Sequence, residues 1–412
     1  MNAHTRIPKS LPYTGKLDTI EIILKITARC NLDCTYCYYF NGVNQSALDL
    51  PAVLSKKNIT DIATFVKQGA QELGIKYITF DFHGGEPLMM NKNRFDWMCE
   101  HLTSELSCVA KVEFALQTNA VNVDDEWIDL FSKHQIAIGV SLDGPKEYND
   151  MYRIDLKGES SYQQTRDGIE KLQKAWREDR FPGLGALCVI NPEFDARKIY
   201  QHLTQTLGFK GVDFLLPDLT HQEFEAHPGY GKFMRDMFNA WVEFGYDKFQ
   251  VRKLSNLLQR LSGEKRQFFS SFSDEEASMI AFTIQTDGSL GPDDTLFSNP
   301  MWDRIENVHV SDTTLLAFLS QPEMERLDSE SRSVPDDCKE CCWLNICGGG
   351  GMLAHQYSTE TNSSMHPSVH CGSLKELYSE ATSFLLDNGM DPEQLKAVLF
   401  SKDEIDAAET VV

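Results

Sequence analysis

The stretch ITARCNLDCTYCYYFNG, residues 26–42, places three cysteines, Cys30, Cys34 and Cys37, within eight residues. A structural zinc site takes four protein ligands, and disulfides pair cysteines two by two, so three thiols are incomplete for either purpose. Three thiolates can instead hold a [4Fe–4S] cluster and leave one iron open, and an open position on a metal centre is typical of catalysis. The spacing therefore favours a catalytic iron–sulfur cluster, with zinc as the alternative.

The composition is that of a globular protein, with 42% hydrophobic and 24% charged residues. The formal net charge of −22 argues against nucleic acid as a partner, because phosphate binding needs a basic surface. No apolar run approaches the ~18–20 residues that span a bilayer, and the first residues lack the apolar segment of a secretory signal. We therefore expect a cytoplasmic protein with no membrane partner.

The eleven cysteines are unevenly distributed. Three lie in the first loop and five lie between residues 338 and 371, whereas Cys99, Cys108 and Cys188 are predicted to be small buried hydrophobic residues. In a reducing compartment, such clusters indicate metal or redox chemistry and not a disulfide framework.

Six short apolar runs rich in β-branched residues predict buried strands over 19–26, 76–82, 111–118, 136–142, 185–191 and 211–217. Helical patterns lie between them, at about 53–73, 93–106, 124–133, 162–178 and 195–207. This alternation predicts an α/β fold of parallel units, a partial (β/α)6 barrel with its chemistry at the carboxyl ends of the strands. The cysteine loop and the segments HGGEP (83–87), QTNA (117–120) and SLDGP (141–145) all follow predicted strands, so we expect them on one face.

The pattern changes after about residue 220. We expect a core barrel over 17–230, a helical bridging segment over 231–280 and a smaller C-terminal domain over 281–412. That last part opens with a predicted hairpin, AFTIQTDGSLGPDDTL, and closes with helices. Its thiols Cys338, Cys341, Cys347 and Cys371 could hold one metal centre, either an iron–sulfur cluster or a structural zinc ion, with Cys342 spare or a substitute ligand.

The CxxxCxxC loop, with Tyr36 before its last cysteine, and the GGEP motif together resemble the radical S-adenosylmethionine (SAM) superfamily. The resemblance implies that SAM chelates the open iron and yields a 5′-deoxyadenosyl radical that abstracts hydrogen from the substrate. It also implies an electron donor such as flavodoxin or ferredoxin. The residues that it implies for SAM binding are Tyr36, Gly84, Gly85, Glu86, Gln117, Asn119, Ser141, Arg153 and Val189.

For some of these residues a structural reading stays open. Gln117 and Asn119 could simply satisfy a turn, and Val189 could be ordinary core packing. The clearest roles are for Glu86, which can accept a hydrogen bond from an ammonium group, and for Arg153, which could clamp the carboxylate of SAM.

The C-terminal cysteines are similar to the SPASM extension of radical SAM enzymes, which carries auxiliary iron–sulfur clusters. The chain departs from that pattern, because its hairpin reads DGSLGPDD without cysteine and GGGG follows Cys347. The resemblance thus implies one auxiliary cluster, which we expect to be [4Fe–4S], on Cys338, Cys341, Cys347 and Cys371.

The retained C-terminal pattern most resembles maturases that form cyclophanes in ribosomally made peptides. We therefore expect abstraction of a Cβ hydrogen from a precursor peptide with a leader, and C–C crosslinking to an aromatic ring. The alternatives are a maturase of the sulfatase formylglycine type, an ether or thioether crosslink, and a non-catalytic zinc or iron–sulfur scaffold. Asp293 and Asp294 are candidates for the base, with solvated turn aspartates as the other reading. A separate leader-binding domain usually needs ~50 residues, more than precede the first strand, so we expect recognition by the barrel, the C-terminal domain or another protein.

Overall fold

The computed structural model describes residues 17–263, 278–350 and 352–400. Its nine strands, β1 to β9, are Leu17–Thr27, Tyr77–Gly84, Lys111–Thr118, Ala137–Ser141, Leu184–Val189, Gly211–Leu215, Gln250–Val251, Ser278–Ile284 and Leu290–Gly291. Its helices, α1 to α14, are Lys56–Leu73, Lys92–Leu106, Asp125–His134, Lys146–Tyr152, Tyr162–Arg177, Ala196–Gln201, Gly229–Gly245, Arg252–Leu261, Leu315–Leu319, Pro322–Arg332, Leu344–Cys347, Leu353–Gln356, Cys371–Asp387 and Pro392–Leu399.

The nine described strands belong to one sheet in the order β7-β6-β5-β4-β3-β2-β1-β8-β9. Every neighbouring pair among them is parallel except β8 and β9. Successive parallel strands need crossover connections, and helices supply them between β1 and β6. The carboxyl ends of these six strands therefore share one edge, and the sheet stays open between β7 and β9. This is the expected partial barrel.

The strands form where the sequence predicted them because each is an apolar run buried in the sheet. In β1, Ile20, Ile22 and Leu24 are completely buried. The longer helices between the strands are amphipathic, and α1, α2, α3 and α6 begin at side-chain caps. In α1, Ser55 accepts a hydrogen bond from the N–H of Asn58. The helix expected over 195–207 is α6 followed by a π-helical turn, His202–Thr206.

The predicted hairpin is present, with Thr283 opposite Gly291 and Ile284 opposite Leu290. Its first strand, β8, also pairs in parallel with β1, because the alternate residues Ile280, Phe282 and Ile284 are apolar and completely buried there. The boundary expected between residues 280 and 281 thus falls inside a strand of the barrel sheet.

The C-terminal part packs against the barrel through its longest helix, α13, which contacts α7 and α8. Arg235 of α7 and Glu376 of α13 form an ion pair across this contact. The bridging segment expected over 231–280 contains most of α7 and all of α8, and its residues 264–277 lie outside the described part of the chain. Among the described helices, none has the length and apolar character needed to cross a membrane.

Candidate active site

A cavity of about 420 Å³ opens at the carboxyl ends of the strands. The loops after β1, β2, β3 and β4 all contribute to it, as their positions in the sequence predicted. It is lined by every predicted loop thiol and every predicted SAM-binding residue: Cys30, Cys34, Tyr36, Cys37, Gly84, Gly85, Glu86, Gln117, Asn119, Ser141, Arg153 and Val189. The structure therefore brings the whole predicted set together around one space.

The three loop thiols, Cys30, Cys34 and Cys37, all line the cavity. Among the described residues, no three His, Cys, Asp or Glu side chains form a group that could hold a single metal ion. A four-iron cluster has a different requirement, because each thiolate binds a different iron. Burial raises the pKa of Cys30 to about 12, so a thiolate here needs a cation such as iron beside it. The N–H of Leu32 also points at the Cys30 sulfur, at 3.3 Å, and such hydrogen bonds to sulfur are usual around iron–sulfur clusters. The loop fits an iron–sulfur cluster.

The HGGEP segment, which follows β2, forms hydrogen bonds with residues at the ends of β1 and β3. The buried Glu86 carboxylate accepts hydrogen bonds from the Thr118 hydroxyl at 2.7 Å, the Asn119 N–H at 2.8 Å and the Leu88 N–H at 3.0 Å. Gly84 has φ +129°, and a Cβ on it would lie 2.1 Å from the Thr27 carbonyl oxygen. These contacts bring the segment against the end of β1, beside the cysteine loop.

Tyr36 belongs to a chain of hydrogen-bonded side chains in the cavity wall. Arg153 donates from Nη1 to the Tyr36 hydroxyl at 2.9 Å, and that hydroxyl donates to Asp143 at 2.6 Å. Asp143 in turn accepts a hydrogen bond from the Val189 N–H at 3.3 Å. Sequence reasoning missed Asp143, although it stands inside the SLDGP segment. The Arg153 guanidinium faces the cavity near Cys34, where it could also hold a carboxylate.

A second buried network lies beside the cavity and centres on Lys25, which is completely buried. Its Nζ lies 2.7 Å from Asp294 Oδ2, 3.0 Å from the Tyr38 hydroxyl and 3.0 Å from His83 Nδ1. The Tyr38 hydroxyl donates to the same Asp294 oxygen at 2.6 Å. Tyr38 and His83 line the cavity, and only 14% of the Asp294 side chain is exposed.

The two candidate aspartates differ in what they contact. Asp293 accepts hydrogen bonds from the N–H and the hydroxyl of Thr295, at 2.9 and 2.7 Å, and so caps the turn that follows it. Burial and the neighbouring Asp294 charge raise the pKa of Asp293 to about 6. Asp294 lies behind the cavity wall, in contact with the lining residues Tyr38 and His83. Neither residue behaves as a solvated turn aspartate.

Gln117 lines the cavity as predicted, and it also contacts His83 and Asp81. Its Oε1 lies 2.8 Å from His83 Nε2, and its Nε2 donates to Asp81 at 3.3 Å. Lys25, Tyr38, His83 and Asp81 were not identified from the sequence. A signal was available for Lys25, because a lysine inside a predicted buried strand needs partners.

The four C-terminal thiols line a separate small cavity of about 20 Å³, together with Tyr378 and Trp343. The thiols are Cys338, Cys341, Cys347 and Cys371. The Tyr378 hydroxyl is hydrogen-bonded to the Cys347 sulfur. Cys342 is exposed and is absent from the lining of this cavity. Four thiols around one small cavity, with a hydroxyl on one sulfur, fit an iron–sulfur cluster, in which each thiolate binds a different iron.

Residues 24–195 match the model of the Radical SAM superfamily. They form a radical SAM domain, an enzyme domain whose cofactors are SAM and a [4Fe–4S] cluster.

Similar proteins cover most of the chain. The cysteine-type anaerobic sulfatase-maturating enzyme of Clostridium perfringens strain 13 is 24% identical over 377 residues, which are 89% of this chain and 97% of that protein. The serine-type enzyme of Bacteroides thetaiotaomicron is 24% identical over 368 residues, which are 83% and 84% of the two chains. The solved structure of native anSMEcpe with bound AdoMet and Cp18Cys peptide is similar with a TM-score of 0.74 at 24% identity, covering 90% of this chain and 98% of that one. This structural match confirms the expected fold class.

Proposed function

We propose that this radical SAM enzyme oxidises a cysteine or serine side chain of a peptide or protein, as in sulfatase maturation. The similar proteins named for sulfatase maturation support this, since the match extends over nearly their whole length. One of the similar structures holds a peptide beside AdoMet, which supports a peptide as the substrate. Aromatic crosslinking, expected from the sequence, receives no such support, and the sulfatase alternative now takes its place as the main proposal.

The observation that carries the proposal is the Asp294 carboxylate beside the cavity that the loop thiols line. Oxidation of a thiol or hydroxyl to a carbonyl-type group removes a hydrogen atom from carbon, a proton from sulfur or oxygen, and one electron. When bound, the cluster and SAM supply the 5′-deoxyadenosyl radical that takes the hydrogen atom. Asp294 accepts the proton. An electron donor of the flavodoxin or ferredoxin type would reduce the loop cluster.

The remaining electron needs an acceptor. Cys338, Cys341, Cys347 and Cys371 would hold an auxiliary [4Fe–4S] cluster, which has the chemistry to take it. Cys30, Cys34 and Cys37 would hold the loop cluster, with its open iron facing the cavity. Arg153, Ser141 and the other predicted lining residues would hold SAM.

The test uses the full chain, purified without oxygen and supplied with iron and sulfide. It is incubated with SAM, a reductant and two peptides that differ only in one cysteine or serine. We expect 5′-deoxyadenosine together with a peptide aldehyde that reacts with a hydrazide probe. SAM cleavage without any aldehyde would contradict the proposal.

Peptide crosslinking is the second candidate. It is favoured by the chain's own hairpin, which carries Asp293 and Asp294 and no cysteine, as in the cyclophane pattern. A crosslinked product lacks two hydrogens but has no aldehyde. The same hydrazide assay, with peptide fragmentation by mass spectrometry, therefore separates the two functions.

A further inference from the structure

The buried network around Asp294 affects which side chain of a peptide substrate, cysteine or serine, can be oxidised. We propose that Lys25 makes Asp294 a weak, permanently ionised base, and that the enzyme therefore oxidises cysteine in preference to serine. This inference rests on the proposed function and narrows its substrate class.

Hydrogen-bond acceptors surround the Lys25 side chain on three sides. An ammonium group has three N–H donors, and three acceptors surround Nζ within 3.0 Å: Asp294 Oδ2, the Tyr38 hydroxyl oxygen and His83 Nδ1. The rings of Tyr38 and Tyr39 also lie against the charge, with centroids 5.3 and 5.0 Å from Nζ. A neutral amine could not satisfy all three acceptors.

The next groups in the network fix the orientation of His83. Gln117 donates from Nε2 to Asp81, so its Oε1 faces His83 Nε2, which must then carry the ring proton. His83 Nδ1 is thereby left free to accept a hydrogen bond from Lys25. Burial and the Lys25 charge lower the pKa of His83 to about 4, so the ring stays neutral and does not repel the ammonium. The Lys25 ammonium is therefore held between His83 Nδ1 and Asp294 Oδ2.

Groups on every neighbouring element face Asp294. They are Glu21 and Lys25 of β1, Tyr38 and Tyr39 of the cysteine loop, Asp81 and His83 of β2, and Asp293 of the hairpin. Burial by itself would raise the pKa of Asp294. The charge and hydrogen bond of Lys25, with smaller contributions from His83 and the Tyr38 hydroxyl, outweigh burial and hold the pKa of Asp294 well below its usual range.

A weaker base removes only a more acidic proton at a useful rate. A cysteine thiol has a pKa near 8.5, whereas an aliphatic hydroxyl is a far weaker acid. In the balanced step, the substrate Cβ would lose one hydrogen atom to the radical that bound SAM supplies, and the S–H proton would pass to Asp294. The last electron would pass, as the C=S bond forms, to an auxiliary iron–sulfur cluster held by Cys338, Cys341, Cys347 and Cys371. Water then releases hydrogen sulfide and leaves the aldehyde.

The experiment compares the cysteine and serine peptides as substrates of the reconstituted full chain. We expect kcat/KM for aldehyde formation to be about a hundredfold higher for the cysteine peptide. Equal values for the two peptides, or a preference for serine, overturn the inference while the proposed function stands. If neither peptide gives an aldehyde, the proposed function fails and the inference fails with it.

A Lys25→Met variant tests the cause of the preference. Without the ammonium, burial raises the pKa of Asp294. Activity on the cysteine peptide should then fall as the pH is lowered through the new pKa of Asp294. This decrease at acid pH, the acid limb of the pH profile, should be absent from the native enzyme. The ratio of serine to cysteine oxidation should rise about tenfold, because each pKa unit changes base strength by that factor. An unchanged pH profile and ratio would refute the role of Lys25.

Lys57→Met is the matched control, because its side chain is 76% exposed in an ion pair on α1. It should change neither the acid limb nor the ratio. A readout independent of turnover is the nitrogen spectrum of histidine-labelled, iron-free protein. His83, assigned by a His83→Gln variant, should show the neutral ring with the proton on Nε2. A protonated Nδ1 in that spectrum would contradict the network.

Discussion

Replacing Gly85 by alanine should destabilise the protein even without SAM. A Cβ on Gly85 would lie 2.1 Å from the Arg29 carbonyl oxygen, a backbone atom that cannot rotate away. The segment after β2 must then move from the end of β1, which weakens two hydrogen bonds of 2.9 Å, from Gly85 N–H to Thr27 and from Glu86 N–H to Arg29. We estimate about 0.5–1.5 kcal/mol for each bond and about 1–3 kcal/mol for the forced contact. The free energy of unfolding should fall by about 2–6 kcal/mol.

The assay is urea unfolding of the iron-free protein, followed by tryptophan fluorescence. Gly372→Ala is the control, because its added Cβ meets no atom within 4 Å and it lies in the first turn of α13. That variant should unfold at the native urea concentration or slightly above it, since alanine favours a helix. Gly85→Ala could instead unfold at the same urea concentration as the control and lose only SAM binding. In that case the glycine is needed only for ligand binding. The steric reasoning would then be wrong.

Three further predictions concern the two thiol sites. Cys34→Ala should abolish formation of 5′-deoxyadenosine while the protein still folds, as checked by circular dichroism; retained turnover would exclude the loop cluster. Cys347→Ala should lower the iron content by about one cluster and leave SAM cleavage largely intact, whereas unchanged iron would count against an auxiliary cluster. Tyr378→Phe removes the hydroxyl hydrogen bond to the Cys347 sulfur and should shift the auxiliary potential to more negative values in an EPR redox titration, with no change in iron content.

Much of the barrel could be predicted from the sequence because its strands are continuous apolar runs separated by amphipathic helices. The same pattern placed the cysteine loop, HGGEP and SLDGP on one face, since the ends of parallel strands share an edge. The pairing of β8 with β1 could not be predicted, because residues 28–277 separate the two strands and no local pattern specifies their register. Those intervening residues include the whole of the barrel from β2 to β7.

The Lys25 network was missed for a related reason. Alternation along β1 puts Glu21, Ile23 and Lys25 on one face of the strand. Charged side chains inside the barrel could therefore have been predicted from the sequence. The partners of Lys25 could not be predicted, because His83 and Asp294 lie on other elements and contact it only in the folded protein. For the same reason, sequence alone could not separate Asp294 from its neighbour Asp293. In the folded protein Asp294 contacts Lys25, and Asp293 caps the turn that follows it.

The pairing of β8 with β1 explains how the active site is completed. β1 carries Lys25 and leads directly into the cysteine loop, and β8 leads through the hairpin to Asp294. Because the two strands are parallel neighbours, the residues beyond their carboxyl ends lie side by side, and Asp294 comes within 2.7 Å of Lys25 although 269 positions separate them. The proposed proton acceptor is therefore positioned by the barrel sheet itself. A separable C-terminal domain would leave the buried Lys25 without its ion-pair partner, at a cost of about 3–5 kcal/mol. The hairpin and the barrel should accordingly fold together, and the proposed base should be in position before any substrate binds.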